Sequence, residues 1–397
     1  MKNYKNILDD ILSRFSRVIL TDLSIVPLHE PEFDHTDSEM VLDCLNSGWV
    51  SSVGKYVNLF EEVTAKFCGV KHGIAVVNGT AGLELALKAC SVIPGQEILV
   101  PSLTFVATAN AIHNIGAVPH FIDVDEKTLG VDASKLEKHL DHIVDFKEGS
   151  VINRQTGRNI TCLVVMHTFG HSIDMDAVMR VAKKFGLPVV EDAAEALGSE
   201  FKEKKCGSLG TLSVISFNGN KIVTTGGGGM VLTDDESLAN KVRHLSTTAK
   251  INHRWKFNHD MPAHNYRLPN LNAALGLGQM TKINARLKAK RTLAHKYIKE
   301  FNNADYSKIF QEGNENKSNY WLNTMILSDE YSLELRDYLL DGLNDSGFQV
   351  RPCWELMHTL PFHKNCPVAD LKTSEKLART IINLPSSANL GGRITGE

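Results

Sequence analysis

The chain has 397 residues, of which 43% are hydrophobic and 22% charged, and its formal net charge is −3. This length is enough for one large domain and a smaller one, and the composition is that of a globular protein. The weak net charge gives no electrostatic basis for binding nucleic acid or an anionic membrane surface. No stretch is long and apolar enough to predict a membrane span.

The cysteines are scattered singly and none has CxxC spacing, which argues against a zinc site and against a disulfide framework. We therefore expect no metal, and a reducing compartment such as the cytoplasm. The seven positions are Cys44, Cys68, Cys90, Cys162, Cys206, Cys353 and Cys366.

Residues 1–26 are predicted to form an N-terminal extension. Apolar positions three and four apart predict an amphipathic helix within residues 1–20, whose interrupting acids and missing cleavage site argue against a signal peptide. Two prolines then hold residues 27–31 extended, and a helix is predicted at 38–46. Residues 47–57 form a glycine-bounded loop that is either a plain connector or the edge of a substrate site.

Strands alternate with helices through the next part of the chain. Five strands end in polar residues, and this alternation predicts a mostly parallel sheet with a site at the carboxyl ends of its strands. The predicted strands are 74–77, 97–101, 119–125, 161–166 and 187–192; the helices are 83–89, 106–114, 133–140 and 174–185. Residues 141–159 are expected to be an exposed polar excursion.

The first strand is followed by a glycine turn and a helix N-terminus, the arrangement that binds phosphate through free backbone N–H groups. Gly79 and Thr80 lie at this point, although the same pattern is an ordinary helix cap. Phe105 follows the second strand, where its ring either stacks on a planar ligand or belongs to the core.

Lys221 lies between two predicted short strands, among small polar residues and just before four glycines. Such a lysine is either a surface charge or a reactive amine that can form a Schiff base with an aldehyde cofactor. Ser216 and Asn220 can donate to a phosphate, and the glycine run lets backbone approach a bulky ligand.

Asp192 ends an apolar strand, where an unpaired carboxylate would be costly. It is either a structural cap or ion pair, or the partner of a protonated pyridine nitrogen, which would keep that ring electron-poor.

Beyond residue 233 we predict a helix at 235–245, a polar loop at 247–258 and a long helix at 271–301. Strands at 321–327 and 348–352 and helices at 333–346 and 374–382 predict a small α+β unit. The predicted division is a large domain at 27–270 and, at 271–397, a bridging helix with a small C-terminal domain.

Together these motifs resemble the fold-type I pyridoxal-phosphate enzymes, and most closely the DegT/StrS-type nucleotide-sugar aminotransferases, over residues 27–384. The resemblance implies an α/β fold whose large domain has a mostly parallel seven-stranded sheet. The motifs that carry it are Asn78-Gly79-Thr80-Ala81, Thr104-Phe105, Glu191-Asp192-Ala193-Ala194-Glu195, Ser216-Phe217-Asn218-Gly219-Asn220-Lys221, Gly226 to Gly229 and Asn265-Tyr266-Arg267.

The resemblance implies pyridoxal 5'-phosphate as cofactor and assigns its contacts. Lys221 would bind it covalently and move the proton, and Asp192 would pair with the pyridine nitrogen. Glu195 would lie near the ring hydroxyl, where many relatives carry glutamine. The phosphate contacts would be Gly79, Thr80 and Ser216, with Phe105 stacked on the ring and Asn265 reaching the phosphate from the second subunit of a homodimer with shared sites.

The resemblance also implies the substrates, L-glutamate as amino donor and a nucleotide-linked keto sugar as acceptor. The loop at 48–57, the segment 27–31 and the glycine run resemble a branch that aminates C4 of a UDP-linked 4-keto-6-deoxy-N-acetylhexosamine. Amination at C3 and dTDP-linked substrates stay open. The expected substrate contacts are Lys55, Tyr56, His167, Asn220 and Arg351.

Three other functions fit the sequence less well. A sugar dehydratase of the same fold would carry histidine at the position of Lys221, and a non-catalytic regulator would lack that lysine or Asp192 and carry a DNA-binding module. A P-loop nucleotide binder would need Gly-Lys-Ser/Thr after its glycines.

Overall fold

A computed structural model describes residues 4–329 and 333–392, so the ends of both predicted terminal regions lie outside the described residues. Within these ranges the chain forms twelve α-helices. They are α1 (Tyr4–Val18), α2 (His35–Ser47), α3 (Lys55–Cys68), α4 (Gly79–Ala89), α5 (Val106–Asn114), α6 (Ala133–Ile143), α7 (Met175–Phe185), α8 (Glu236–Ser246), α9 (Asn270–Met280), α10 (Ile283–Phe301), α11 (Leu333–Asp345) and α12 (Lys372–Thr380).

The strands fall into one large sheet, one smaller sheet and three minor ones. They are β1 (His72–Val76), β2 (Glu97–Pro101), β3 (Val118–Ile122), β4 (Val144–Lys147), β5 (Ser150–Asn153), β6 (Ile160–Met166), β7 (Val189–Asp192), β8 (Glu200–Phe201), β9 (Lys204–Lys205), β10 (Leu212–Ser216), β11 (Gly229–Thr233), β12 (Lys250–Ile251), β13 (Asn258–His259), β14 (Ser307–Ile309), β15 (Asn316–Lys317), β16 (Asn323–Leu327), β17 (Arg351–Pro352) and β18 (Ile381–Leu384).

The large sheet has seven strands in the order β1-β11-β10-β7-β6-β2-β3. Strand β11 runs antiparallel to both its neighbours, and the remaining pairs are parallel. The strands are buried along nearly their whole length because helices cover both faces, as expected for a parallel sheet. The predicted mostly parallel seven-stranded sheet is therefore confirmed.

The register of the sheet brings the polar strand ends together. Asp192 at the end of β7 is level with Met166 on β6 and with Val214 on β10. The carboxyl ends of these parallel strands consequently open on one edge, beside the start of α4. This is the edge at which α/β sheets bind ligands.

The second sheet, β14-β16-β18-β17, is antiparallel and lies in the C-terminal part of the chain. Helix α1, which lies within the predicted helical region 1–20, packs against α10 and α11 beside it. Its Phe15 is fully buried, with its ring centroid 5.9 Å from that of Tyr297 on α10. The N-terminal extension therefore joins the core formed by the C-terminal helices.

Several helix predictions were wrong in their bounds; the predicted helix 83–89, for example, already begins at Gly79. The long helix at 271–301 is two helices, because Lys282 leaves the helical conformation and its Nζ binds Asp34 at 2.6 Å and Asp37 at 2.7 Å. The predicted helix 374–382 ends at Thr380, since the next residues pair as β18 between β16 and β17.

Two predicted loops contain hairpins. Strands β4 and β5 pair within the expected polar excursion at 141–159, and Val144 and Val151 from them are buried. Strands β12 and β13 pair within or next to the expected loop at 247–258. Hairpins this short have too few alternating positions to give a clear strand pattern.

Candidate active site

A cavity of about 530 Å³ opens at the carboxyl ends of the central strands, between the large sheet and residues of the second sheet. Its walls include most of the residues that the sequence selected. Of the predicted site residues it is lined by Gly79, Thr80, Phe105, Asp192, Glu195, Ser216, Asn220, Lys221 and Arg351.

Lys221 reaches this cavity from the turn that follows β10. Its Nζ lies 3.3 Å from Glu195 Oε1 and 3.8 Å from the centroid of the Trp321 ring, and its side chain is 12% exposed. The ammonium thus has a carboxylate on one side and an aromatic face on another, which holds it in place in a largely dry site.

Asp192 is buried at the end of β7, and both of its carboxylate oxygens accept hydrogen bonds. Thr108 Oγ1 donates to Oδ2 at 2.7 Å, and the Ala194 amide donates to Oδ1 at 3.1 Å. Burial raises the pKa of Asp192, against the lowering effect of these two donors. The carboxyl group is therefore fixed in orientation and faces the cavity with little solvent around it.

Glu195 is 2% exposed and is held by the Phe169 amide, which donates to Oε2 at 2.9 Å. Burial raises the pKa of Glu195 to about 7, although the charge of Lys221 opposes the shift. Near neutral pH this group can consequently serve either as a hydrogen-bond donor or as an acceptor.

The start of α4 forms a narrow cradle with the end of β10. A Cβ atom added at Gly79 would lie 3.2 Å from Ser216 Cβ, so a side chain there would crowd the space between them. Asn78 caps the helix by accepting from the Ala81 amide at 2.8 Å. The amides of Gly79 and Thr80 belong to the first turn, which has no intrahelical acceptors, and such amides bind phosphate.

The four-glycine run, Gly226 to Gly229, packs closely against the turn that precedes α4. A Cβ atom at Gly229 would lie 2.7 Å from the Asn78 carbonyl carbon and 2.9 Å from the Gly79 nitrogen. The absent side chain of Gly229 therefore lets β11 pass against the turn before α4. Gly228 lines the cavity itself, and Gly226 has a positive φ of 78°.

Phe105 and Arg351 line the outer part of the cavity. Phe105 is 45% exposed, and its ring centroid lies 6.0 Å from that of Trp354. Its position favours a stacking role over a core role. Arg351 is exposed, and its Nη1 donates to Asn344 Oδ1 at 3.0 Å.

Three of the expected substrate contacts lie elsewhere in this structure. Lys55 Nζ is 2.9 Å from Asp43, the Tyr56 hydroxyl donates to the same carboxylate, and neither lines the main cavity. His167 is fully buried, with its Nε2 2.9 Å from Glu191 Oε2. Although burial opposes it, the neighbouring Cys206 and Glu191 raise the pKa of His167 to about 10.

Asn265 is exposed and lies outside the cavity of its own chain. It forms an isolated bridge with Thr247, next to the β12–β13 hairpin. Its side chain is thus free to meet a second molecule.

The sequence did not single out several residues that complete the site. Trp321 lies against Lys221 and donates from Nε1 to the Asn220 carbonyl at 2.8 Å. Thr108 orients Asp192, and Trp354 and Asn383 form part of the cavity wall. Of these residues only Thr108 could have been suspected from the sequence, because it lies in the first turn of α5, just after the polar end of a predicted strand.

These residues fit pyridoxal phosphate. The cavity provides a primary amine, a buried carboxylate that can face a ring nitrogen, an aromatic side chain and a cradle of backbone amides for a phosphate. Within the described residues, no group of three or more metal-ligating side chains could hold an ion. None of the described helices is long and apolar enough to cross a membrane.

The sequence signature of the DegT/DnrJ/EryC1/StrS aminotransferase family matches residues 31–393. The chain belongs to this family. It is therefore a nucleotide-sugar aminotransferase that uses pyridoxal phosphate, and the enzyme class, fold and cofactor predicted from the sequence are confirmed.

Individual relatives act on differently activated sugars. GDP-perosamine synthase of Caulobacter vibrioides is 36% identical, over 94% of this chain and 95% of its own length. UDP-4-amino-4,6-dideoxy-N-acetyl-beta-L-altrosamine transaminase of Campylobacter jejuni is 32% identical, over 78% of this chain and 79% of its own.

A solved structure similar to the chain is that of Helicobacter pylori PseC, an aminotransferase involved in the biosynthesis of pseudoaminic acid. It superposes with a TM-score of 0.81 at 27% identity, over 92% of this chain and 94% of the other.

Proposed function

We propose that this aminotransferase moves the amino group of L-glutamate to C4 of a UDP-linked 2-acetamido-2,6-dideoxy-4-keto-hexose. The product would be a UDP-4-amino-4,6-dideoxy-N-acetylhexosamine. The observation that carries the chemistry is the placement of Lys221 and Asp192 around one cavity that also holds a phosphate cradle. The activity by which the Campylobacter relative is named supports the choice of nucleotide and sugar.

Each residue has a separate task in this proposal. Bound pyridoxal phosphate supplies an electron-poor ring that accepts the electrons of the bond broken at the amino-bearing carbon. Asp192 would stabilise a proton on the ring nitrogen, and Lys221 Nζ would move the proton from that carbon to the carbon on the other side of the transferred nitrogen. Glu195, held by the Phe169 amide, would accept a hydrogen bond from the ring oxygen or donate one to it.

Binding would be divided between the two sheets. The amides of Gly79 and Thr80, with the Ser216 hydroxyl, would hold the cofactor phosphate, and Phe105 would cover the ring. Arg351 and Asn220 line the same cavity and would contact the nucleotide sugar. His167, Lys55 and Tyr56 would support the substrate only indirectly, because this chain holds them outside the cavity.

A GDP-linked keto sugar is the second candidate substrate, because the Caulobacter GDP-perosamine synthase is the relative with 36% identity. Amination at C3 and a dTDP-linked substrate are further alternatives that the same cavity could accommodate.

The test is incubation with L-glutamate and a panel of UDP-, GDP- and dTDP-linked 4-keto and 3-keto sugars, with products identified by NMR. The proposal expects a 4-amino product from the UDP-linked N-acetylated 4-keto sugar. Turnover of only the GDP-linked sugar would replace it with the second candidate. The variant Lys221→Ala is the control, and Lys372→Ala, an exposed lysine paired with Asp370, is its matched counterpart.

We further propose that two copies of the chain form a homodimer with shared active sites, in the cytoplasm. Asn265 is exposed and, in this proposal, reaches the partner's cofactor phosphate. The nearby hairpin exposes Trp255 and Phe257 at 68% and 79%, which supports its burial against a second copy. The seven cysteines are free, as suits a reducing compartment. Sedimentation analysis tests the dimer, and Asn265→Ala in mixed dimers tests the shared site.

A further inference from the structure

A second, very small cavity lies behind Lys221, on the side away from the main cavity. Its volume is about 10 Å³, and its walls include Lys221 and His29. A space of roughly this size is the smallest that holds one water molecule. The cavity thus lies between Lys221 and His29, a residue with no role in the proposed mechanism.

The two ring nitrogens of His29 are inaccessible to solvent. Among the described residues neither Nδ1 nor Nε2 makes a hydrogen bond of ordinary geometry, and the one backbone group close enough to raise the pKa of the ring is that of Asn220. An unpaired buried polar group is destabilising, so such a group in a native protein calls for an explanation. His171 is also unpaired, but it lies against the rings of Phe310 and Tyr320 rather than beside a functional amine.

The backbone on both sides of His29 is hydrogen-bonded to the residues that follow β18. The Ser386 amide donates to the Leu28 carbonyl at 2.6 Å, and the Glu30 amide donates to Ser387 Oγ at 3.0 Å. Because the residues on both sides are held, the ring has little freedom to turn out to solvent. Its position beside Trp321, with ring centroids 6.3 Å apart, follows from this attachment.

Three cations line the small cavity, Lys221, Lys290 and Arg286, and only Lys221 among them also lines the main cavity. Lys290 Nζ donates to the carbonyls of Trp321 and Ser386, and Arg286 donates to those of Gln279 and Glu32. Lys221 has three N–H donors, of which Glu195 receives one. The Glu30 and Glu32 side chains complete the titratable groups at this cavity.

The ring is suited to accept a hydrogen bond but not a proton. Burial and the charges of Lys290, Lys221 and Arg286 lower the pKa of His29 well below its ordinary value, despite the nearby Asn220 backbone. A neutral imidazole has one acceptor nitrogen and one donor.

We propose that His29 is a positioning residue, whose neutral ring accepts a hydrogen bond from Lys221 through one water in the small cavity. This inference rests on the proposed role of Lys221. Glu195 and the Trp321 ring hold the amine from the front, and His29 holds it from behind. The amine then stays aimed at the main cavity while its contacts there change.

The test compares two variants of similar size, His29→Gln and His29→Leu, of which only the first keeps an acceptor. The measured quantity is the rate at which apo-protein forms the borohydride-trapped adduct of pyridoxal phosphate at Lys221. Loss of one hydrogen bond should slow attachment in the Leu variant about tenfold, with the Gln variant within about threefold of wild type. Urea midpoints for both variants show whether stability differs.

A Leu variant that is less than about threefold slower than the Gln variant overturns the proposal. Failure of the wild-type protein itself to form the adduct would instead overturn the proposed role of Lys221. If the Leu variant does not fold, ¹⁵N NMR of histidine-labelled wild type and Lys221→Met decides the matter. The ring signals of His29, assigned with the Gln variant, should shift when Lys221 is replaced, and unchanged signals overturn the proposal.

Discussion

Lys221 Nζ lies 3.3 Å from Glu195 Oε1, and both groups come from loops that follow neighbouring parallel strands of the large sheet. The pair is nearly buried, and within residues 4–329 and 333–392 the carboxyl group has one further donor, the Phe169 amide. Burial is the dominant influence on this carboxyl group and raises its pKa to about 7. The protonation state of Glu195 is therefore sensitive to pH in the neutral range.

Glu195→Gln should change how stability depends on pH. The native state holds the Glu195 proton more tightly than the unfolded chain does, because its pKa rises from 4.5 to about 7. Wild-type stability therefore falls as pH rises through this window. The variant lacks the effect, so its stability relative to wild type should increase by roughly 2–3 kcal/mol between pH 4.5 and 8.

Urea unfolding of the cofactor-free proteins at several pH values checks this expectation. The matched control is Glu137→Gln, an exposed carboxylate paired with Lys184, which should leave the stability difference flat across the same range. A flat difference for Glu195→Gln as well would contradict the assigned burial effect.

Asp192→Asn should lower kcat on the order of 100-fold, since the proposal uses its negative charge to keep the ring nitrogen protonated. Thr108→Val removes only the hydroxyl that donates to Asp192 Oδ2 at 2.7 Å. Its effect should be smaller, about threefold to tenfold. Steady-state kinetics with L-glutamate measures both, and equal losses in the two variants would argue that Asp192 acts through structure alone.

Gly79→Ala should weaken binding of pyridoxal phosphate about tenfold, because the new methyl group crowds Ser216 in the phosphate cradle. The stability of the apo-protein should change little, since alanine is favourable in a helix. Gly219→Ala is the control, as its Cβ would have no neighbour within 4 Å. Equilibrium titration by cofactor absorbance gives both affinities, and equal values would exclude the cradle at Gly79.

His167→Gln should act on stability more than on substrate affinity. Cys206 and Glu191 overcome the effect of burial and raise the pKa of His167 from 6.5 to about 10. The interaction of protonated His167 with Cys206 and Glu191 therefore stabilises the fold below pH 6.5, and this contribution is lost as pH rises through 10. The variant should lose about 3 kcal/mol at pH 7 and less at pH 9.5. A raised KM with unchanged stability would instead support direct substrate contact.

Much of the fold could be predicted because buried parallel strands are continuous apolar runs that end in polar residues. The bounds of β2 and α5 agree with their predicted ranges. Lys221 and Asp192 could be selected because their local surroundings are unusual for charged residues. The break between α9 and α10 could not be predicted, because no glycine or proline marks it and the ion pairs of Lys282 join residues far apart in sequence.

The contacts that complete the site are also tertiary. Trp321 approaches Lys221 from the C-terminal part of the chain, and nothing in its own neighbourhood distinguishes it from a core tryptophan. Nothing in the sequence singles out His29; its two nitrogens attract notice only because the structure places them at the small cavity beside Lys221. Sequence patterns report the secondary structure that a residue belongs to, but not which residue lies opposite.

The most direct test of the account is reduction of the protein with borohydride in the presence of pyridoxal phosphate, followed by peptide mapping. The account predicts one cofactor-derived label, on the peptide that contains Lys221, and no label in Lys221→Ala. Lys372→Ala should be labelled like wild type. A label on another lysine, or none in the wild-type protein, would contradict the central role of Lys221.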